Sequence, residues 1–72
     1  MSEAGREEMY EIGRAAGRAA TRDQAEAIIA GLIGTIKMVR EESGYDSPIA
    51  RSLFAAIEGI KSTMPGEDAN VS

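Results

Sequence analysis

The residues of this 72-residue chain best equipped for chemistry are Arg6, Tyr10, Arg14, Arg18 and Arg22, which recur at steps of four. On a helix each such step advances about 400°, so the series drifts by about 40° per step and winds slowly around the cylinder. Neighbours in it touch, whereas its two ends face different ways. Arg14 and Arg18 are like charges one turn apart, an arrangement that costs a few tenths of a kcal/mol (roughly 0.2–0.5) unless something negative lies between them. Guanidinium forks grip phosphate and carboxylate, and Tyr10 could stack on a base or on Arg14, so one reading is an anion site. The other is that these arginines meet carboxylates, Glu11 for Arg14, Asp23 or Glu26 for Arg22, and Glu41, Glu42 or Glu58 of another helix or subunit.

Catalytic groups are scarce. The chain has no His and no Cys, which removes the usual proton shuttle, thiol nucleophile and zinc ligands. Ser47 and Thr21 have ordinary helix-capping positions. Glu41 and Glu42 are adjacent and point about 100° apart on a helix, so they do not converge. Glu3, Glu7 and Glu11 share a face, where a solvated acidic helix start is the simple reading and a divalent ion held across an oligomer the special one. No phosphate-binding glycine loop is present. Neither an enzyme nor a cofactor nor a metal site is expected.

The formal net charge is −4, and a general nucleic-acid binder needs enough Lys and Arg to displace counterions. Charge is unevenly distributed: residues 1–11 hold four Glu and one Arg, residues 12–40 five basic and two acidic groups, and residues 41–72 six acidic and two basic groups. A basic centre between acidic ends could pair subunits or present a local anion site. The longest apolar run, residues 27–36, is about half of the roughly 20 residues a spanning helix requires. The acidic first residues do not resemble a secretory signal. A cytoplasmic protein without membrane contact is expected.

The elements that would position these groups are helices. Thr21–Arg40 holds the strongest pattern: Ala25, Ile28, Ile29, Leu32, Ile33, Ile36 and Val39 recur every three or four residues. Ala27, Gly31, Gly34 and Met38 lie outside that face yet are small or apolar. A helix apolar most of the way round must be covered on more than one side, and a chain this short has little to cover it with. The sequence therefore places its organising helix here and implies self-association. Ser2 can cap a first helix at about 3–20, whose apolar stripe would be Met9, Ile12, Ala16 and Ala19 or Ala20. Gly13 over Gly17 leaves a smooth groove for close approach of another helix. Thr21 with Gln24 has the form of a capping box and separates the first helix from a second at 22–42, although one continuous helix is the alternative. Gly44 suits a left-handed C-terminal turn, and Asp46 or Ser47 before Pro48 starts a third helix at 48–64, with Ile49, Leu53, Ala56, Ile57, Ile60 and Met64 on one face and Phe54 beside it. Residues 65–72 read as a disordered acidic tail.

The expected architecture is a single all-α domain over 1–64: three helices, the second and third forming a helical hairpin, assembled as a homo-oligomer, a dimer by preference. Gly13, Gly17, Ala27, Gly31, Gly34 and Met38 are the candidate oligomer interface; Tyr10, Arg14, Arg18, Arg22 and Tyr45 are the candidate ligand or partner site. Tyr45 stands in a polar loop, where an aromatic either folds back or is offered to a partner. A helix-turn-helix DNA reader is disfavoured, because the third helix would read bases with only Arg51 and Lys61 around Glu58. The expected function is that of a non-enzymatic protein which binds a larger host protein complex and modulates or inhibits it, in the manner of a phage accessory protein. The second reading is a binder of a small anionic ligand such as a nucleotide, through the Arg/Tyr site on the first helix.

Overall fold

The computed structural model describes residues 3–65, with side chains from residue 5 onward. All secondary structure among the described residues is helical: α1 (Glu3–Ala19), α2 (Arg22–Ser43) and α3 (Pro48–Thr63). The expected Ser2 cap and the acidic tail from residue 66 lie outside the described residues. None of the described helices is long and apolar enough to cross a membrane.

Local chemistry sets the boundaries. α1 and α2 are separate: Thr21, extended at φ −72° and ψ 167°, closes a complete capping box. Gln24 N–H donates to Thr21 Oγ1 at 3.1 Å and Thr21 N–H donates back to Gln24 Oε1 at 3.0 Å. Two of the orphan amides of a helix start are thereby satisfied. α2 stops at Gly44, whose φ of +99° and ψ of 160° lie beyond the left-handed turn the sequence suggested, in a region only glycine enters cheaply. Ser47 caps α3 by accepting from Ile49 N–H at 3.2 Å, ahead of Pro48 in the first turn.

The structure moves the centre of the molecule from α2 to α3. Six residues of α3 are buried, Ala50, Ser52, Ala56, Ile57, Gly59 and Ile60, against two of α2, Ala25 and Ile36. α3 is covered on two sides, most extensively by α1. The α1 contact is made of small residues: a Cβ at Gly13 would fall on the Ala56 carbonyl oxygen and 3.0 Å from Ala56 Cα, and one at Gly17 would fall on Thr63 Oγ1 and 2.7 Å from the Ile60 carbonyl. The reciprocal position is Gly59, where a Cβ would strike the Tyr10 carbonyl and lie 2.8 Å from Arg14 N. Backbone touches backbone at this crossing. Thr63 Oγ1 spans it, donating to the Arg14 carbonyl at 2.9 Å with Gly59 O at 3.1 Å as the alternative acceptor.

α2 covers the other side of α3 with larger side chains. Ile36 is buried against Ala50 and Ile57, with Ile29, Leu32, Val39 and Leu53 around them. Two stripe residues of α2 fall outside this core, Ile28 and Ile33, at 40% and 52% exposure. In α1 the glycines take the buried face, and Ile12, expected there, is 52% exposed. Ile49, expected on the buried face of α3, is 50% exposed. In α1 and α3 the bulky residue yields to a smaller buried neighbour, Gly13 beside Ile12 and Ala50 beside Ile49.

Gly13→Ala, Gly17→Ala and Gly59→Ala each raise helix propensity by about 1 kcal/mol yet force backbone apart, and overpacking of this kind costs about 1–3 kcal/mol. The expected net result is a lower midpoint of thermal or urea unfolding for all three. Unchanged or raised midpoints would mean that the crossing is looser than described.

Candidate functional site

The arginine series does not converge. Arg14 lies half-buried beside the α1–α3 crossing, 6.0 Å from the centre of the Tyr10 ring, with its Nε buried and without an acceptor. Arg18 is exposed. Arg22 pairs with Glu26, Nη2 to Oε2 at 3.3 Å, as one of the two sequence-derived partners for it allows. Tyr10 lines a groove of about 400 Å³ whose charged residues are Arg6, Glu7, Glu11 and Glu58. Three carboxylates against one guanidinium give that groove an acidic character. Among the described residues no group of three or more potential ligands is placed to hold a metal ion.

A second site, between the C-terminal half of α2 and the start of α3, gathers residues from both helices and the loop joining them. Arg40 on the last turn of α2 lays its guanidinium over the Tyr45 ring, 3.9 Å from the centroid, and over the Phe54 ring at 4.9 Å. Arg40 Nε is buried and no acceptor reaches it. These side chains border a groove of about 470 Å³ with Ile33, Ile36 and Lys37. Glu41 is its sole acidic lining residue. Tyr45 thus folds back onto Arg40 while remaining 74% exposed, which joins the two alternatives left open by its sequence position. A further groove, lined by Arg6, Arg51, Phe54, Ala55 and Glu58, shares residues with both of the others. The three grooves are neighbours, the middle one sharing Arg6, Ala55 and Glu58 with the groove at Tyr10 and Phe54 with the groove at Arg40.

A third surface is the side of α2 turned away from α3. Gly31 and Gly34 have nothing within 4 Å of where a Cβ would be. Ala27 and Met38 flank them, Met38 at 63% exposure. The Thr35 hydroxyl is turned into its own helix, donating to the Gly31 carbonyl at 3.0 Å, so it adds little polarity to this face. Toward α1 the surface continues into a shallow groove lined by Ala16, Ala19, Ala20, Gln24, Ala27 and Ile28, without a charged residue. Of the six candidate interface residues, Gly13 and Gly17 are covered within the chain itself, while Ala27, Gly31, Gly34 and Met38 are open.

Set against known protein families, curated proteins and solved structures, the chain matches none.

Arg40, Lys37 and Phe54 are absent from the sequence-derived site. The available signal was an arginine in the last turn of a helix followed, across a glycine stop, by a lone aromatic in a polar loop; Phe54 comes from the next helix and only the fold brings it in.

Stacking on exposed rings contributes about 0.5–2 kcal/mol, and a buried N–H without an acceptor costs about 1–3 kcal/mol. Arg40 therefore brings little net stability. Arg40→Met should keep the unfolding midpoint within about 1 kcal/mol of the parent, or about 4–8 °C in a domain of this size. A much larger loss in thermal denaturation would make Arg40 a structural residue.

Proposed function

We propose that this chain is a non-enzymatic binding protein that self-associates through the outer side of α2 and, as an oligomer, docks on a larger protein to modulate or inhibit it. In this reading α2 and α3 form an antiparallel hairpin that stands against a second copy. The observation that carries it is the open apolar side of α2, where Ala27, Gly31, Gly34 and Met38 face away from the core with free space above both glycines.

Their spacing of four, three and four residues is the seam of a two-helix contact, and small residues let backbones approach. The seam is symmetric about the Leu32–Ile33 bond, so antiparallel pairing opposes Ala27 with Met38 and Gly31 with Gly34. A helix of this length is about 33 Å long and about 10 Å wide. Its seam alone thus offers about 350 Å² per copy, under half of the roughly 800 Å² per partner of a stable interface. The uncharged groove from Ala16 to Ile28 extends the face beyond the seam. The carboxylates around Tyr10 weigh against the nucleotide reading at α1, since they repel an anion there.

Native mass spectrometry at micromolar concentration should give twice the 7.6 kDa chain mass. Gly31→Leu or Gly34→Leu should return the protein to a monomer with its circular-dichroism helicity retained, because the space above each glycine is open within the chain. A parent protein that is monomeric at all concentrations removes the self-association reading. Binding to a larger protein is then tested by affinity purification from host cells, with Gly31→Leu as the control that should lose the stoichiometric partner.

A further inference from the structure

We propose that the groove over Arg40 is a binding site for a small carboxylate with an apolar body, such as an aryl- or alkyl-carboxylic acid, a site separate from the self-association face and independent of the partner reading. Three observations select this class. The groove's volume, about 470 Å³, lies within the roughly 300–1,000 Å³ of small-molecule sites, which are mostly apolar with a few convergent polar groups. Its wall is carbon from Ile33, Ile36, Tyr45 and Phe54, and its cations are Lys37 and Arg40, on a chain whose net charge is −4.

The third observation is the hydrogen-bonding state of Arg40. Its guanidinium lies over two aromatic rings, and its Nε–H is buried with no acceptor. Stacking occupies the faces of a guanidinium and leaves the in-plane donors of its two terminal nitrogens for another group, and the planar match to that edge is a carboxylate, bound through two parallel hydrogen bonds. The two rings already lie beneath the guanidinium in the chain without a ligand. Glu41 on the rim disfavours a multiply charged anion, and the carbon wall disfavours one without an apolar body. The ligand that satisfies all of these is a monoanion whose carboxylate meets Arg40 and Lys37 while its hydrocarbon part lies on Ile33, Ile36 and Phe54.

The test is a titration of the ¹⁵N-labelled full chain with 3-phenylpropanoate, followed at the Arg40 Nε–H resonance and at the Phe54 ring. Saturation with a dissociation constant of about 1 mM is expected for a ligand of this size. The neutral 3-phenylpropanamide should bind at least about tenfold more weakly. Arg40→Lys, which keeps the charge and loses the planar fork, should weaken binding by about fivefold or more, and Arg40→Met should abolish it. Lys37→Gln, at an exposed side chain, serves if the Arg40 variants do not fold, and should weaken binding by about two- to fivefold. Inorganic phosphate should not displace the probe. The proposal is overturned by a linear, unsaturated response, by equal affinity for the amide, by displacement with phosphate, or by folded Arg40 and Lys37 variants that bind as the parent does.

Discussion

The close crossing of α1 and α3 is the constraint from which the rest of the structure follows. Gly13, Gly17 and Gly59 sit where a Cβ would meet the backbone of the opposing helix. Three glycines inside helices cost about 1 kcal/mol each relative to alanine. What offsets that cost is contact between the backbones themselves, through dispersion, weak Cα–H···O interactions and the Thr63 hydroxyl on the Arg14 carbonyl. Such packing is familiar between helices in lipid, where no hydrophobic effect draws helices together. Its use here means that α1 is fixed by shape more than by greasy area, and the bulky Ile12 of α1 is left over.

That solution has a consequence for α2. With one flank of α3 taken by α1, α2 has a single flank left, and it covers it with the stripe of Ala25, Ile29, Leu32, Ile36 and Val39. A helix apolar on most of its circumference is then buried on one side only. The chain's radius of gyration, 12.9 Å, exceeds the roughly 11 Å of a compact chain of this length, as expected when α2 is packed on one side only. The open side of α2 is thus a result of how tightly the other two helices meet.

The parts of this fold legible in the sequence are those set by short-range chemistry. The Thr21–Gln24 box, the glycine stop at residue 44 and the Ser47–Pro48 start involve partners within three residues of each other, so spacing alone reveals them. Gly13 and Gly17 were legible as a place of close approach, but not with whom: small residues carry no signature of their partner, and a second copy suited them as well as Ala56 and Ile60. Reading by hydrophobicity put Ile12 inside α1 and made α2 the centre, because it weights residues by the area they could bury. Packing at the crossing weights them by how near a neighbour can come. For the candidate sites the same division holds. The Arg22–Glu26 pair is local and was anticipated, whereas the Arg40 site needs Tyr45 and Phe54 from beyond the helix end and depends on the fold.

The distribution of charge gains meaning in the same way. Along the chain it reads as a basic centre between acidic ends, which suggests that the arginines of α1 are the binding groups. In the folded chain those arginines diverge, and the carboxylates of Glu7 and Glu11 join Glu58 of α3 around Tyr10. The cations that end beside apolar wall are Lys37 and Arg40, from the other end of the basic segment. The intervening groove shares Arg6 and Glu58 with the first site and Phe54 with the second, so neighbouring grooves of opposite charge character lie side by side. Under the binding proposed at Arg40, an anion is repelled at the first groove and met at the second by a guanidinium that lies over two rings. Selectivity for charge then comes from position on the molecule, which neither the net charge nor the order of charges along the chain conveys.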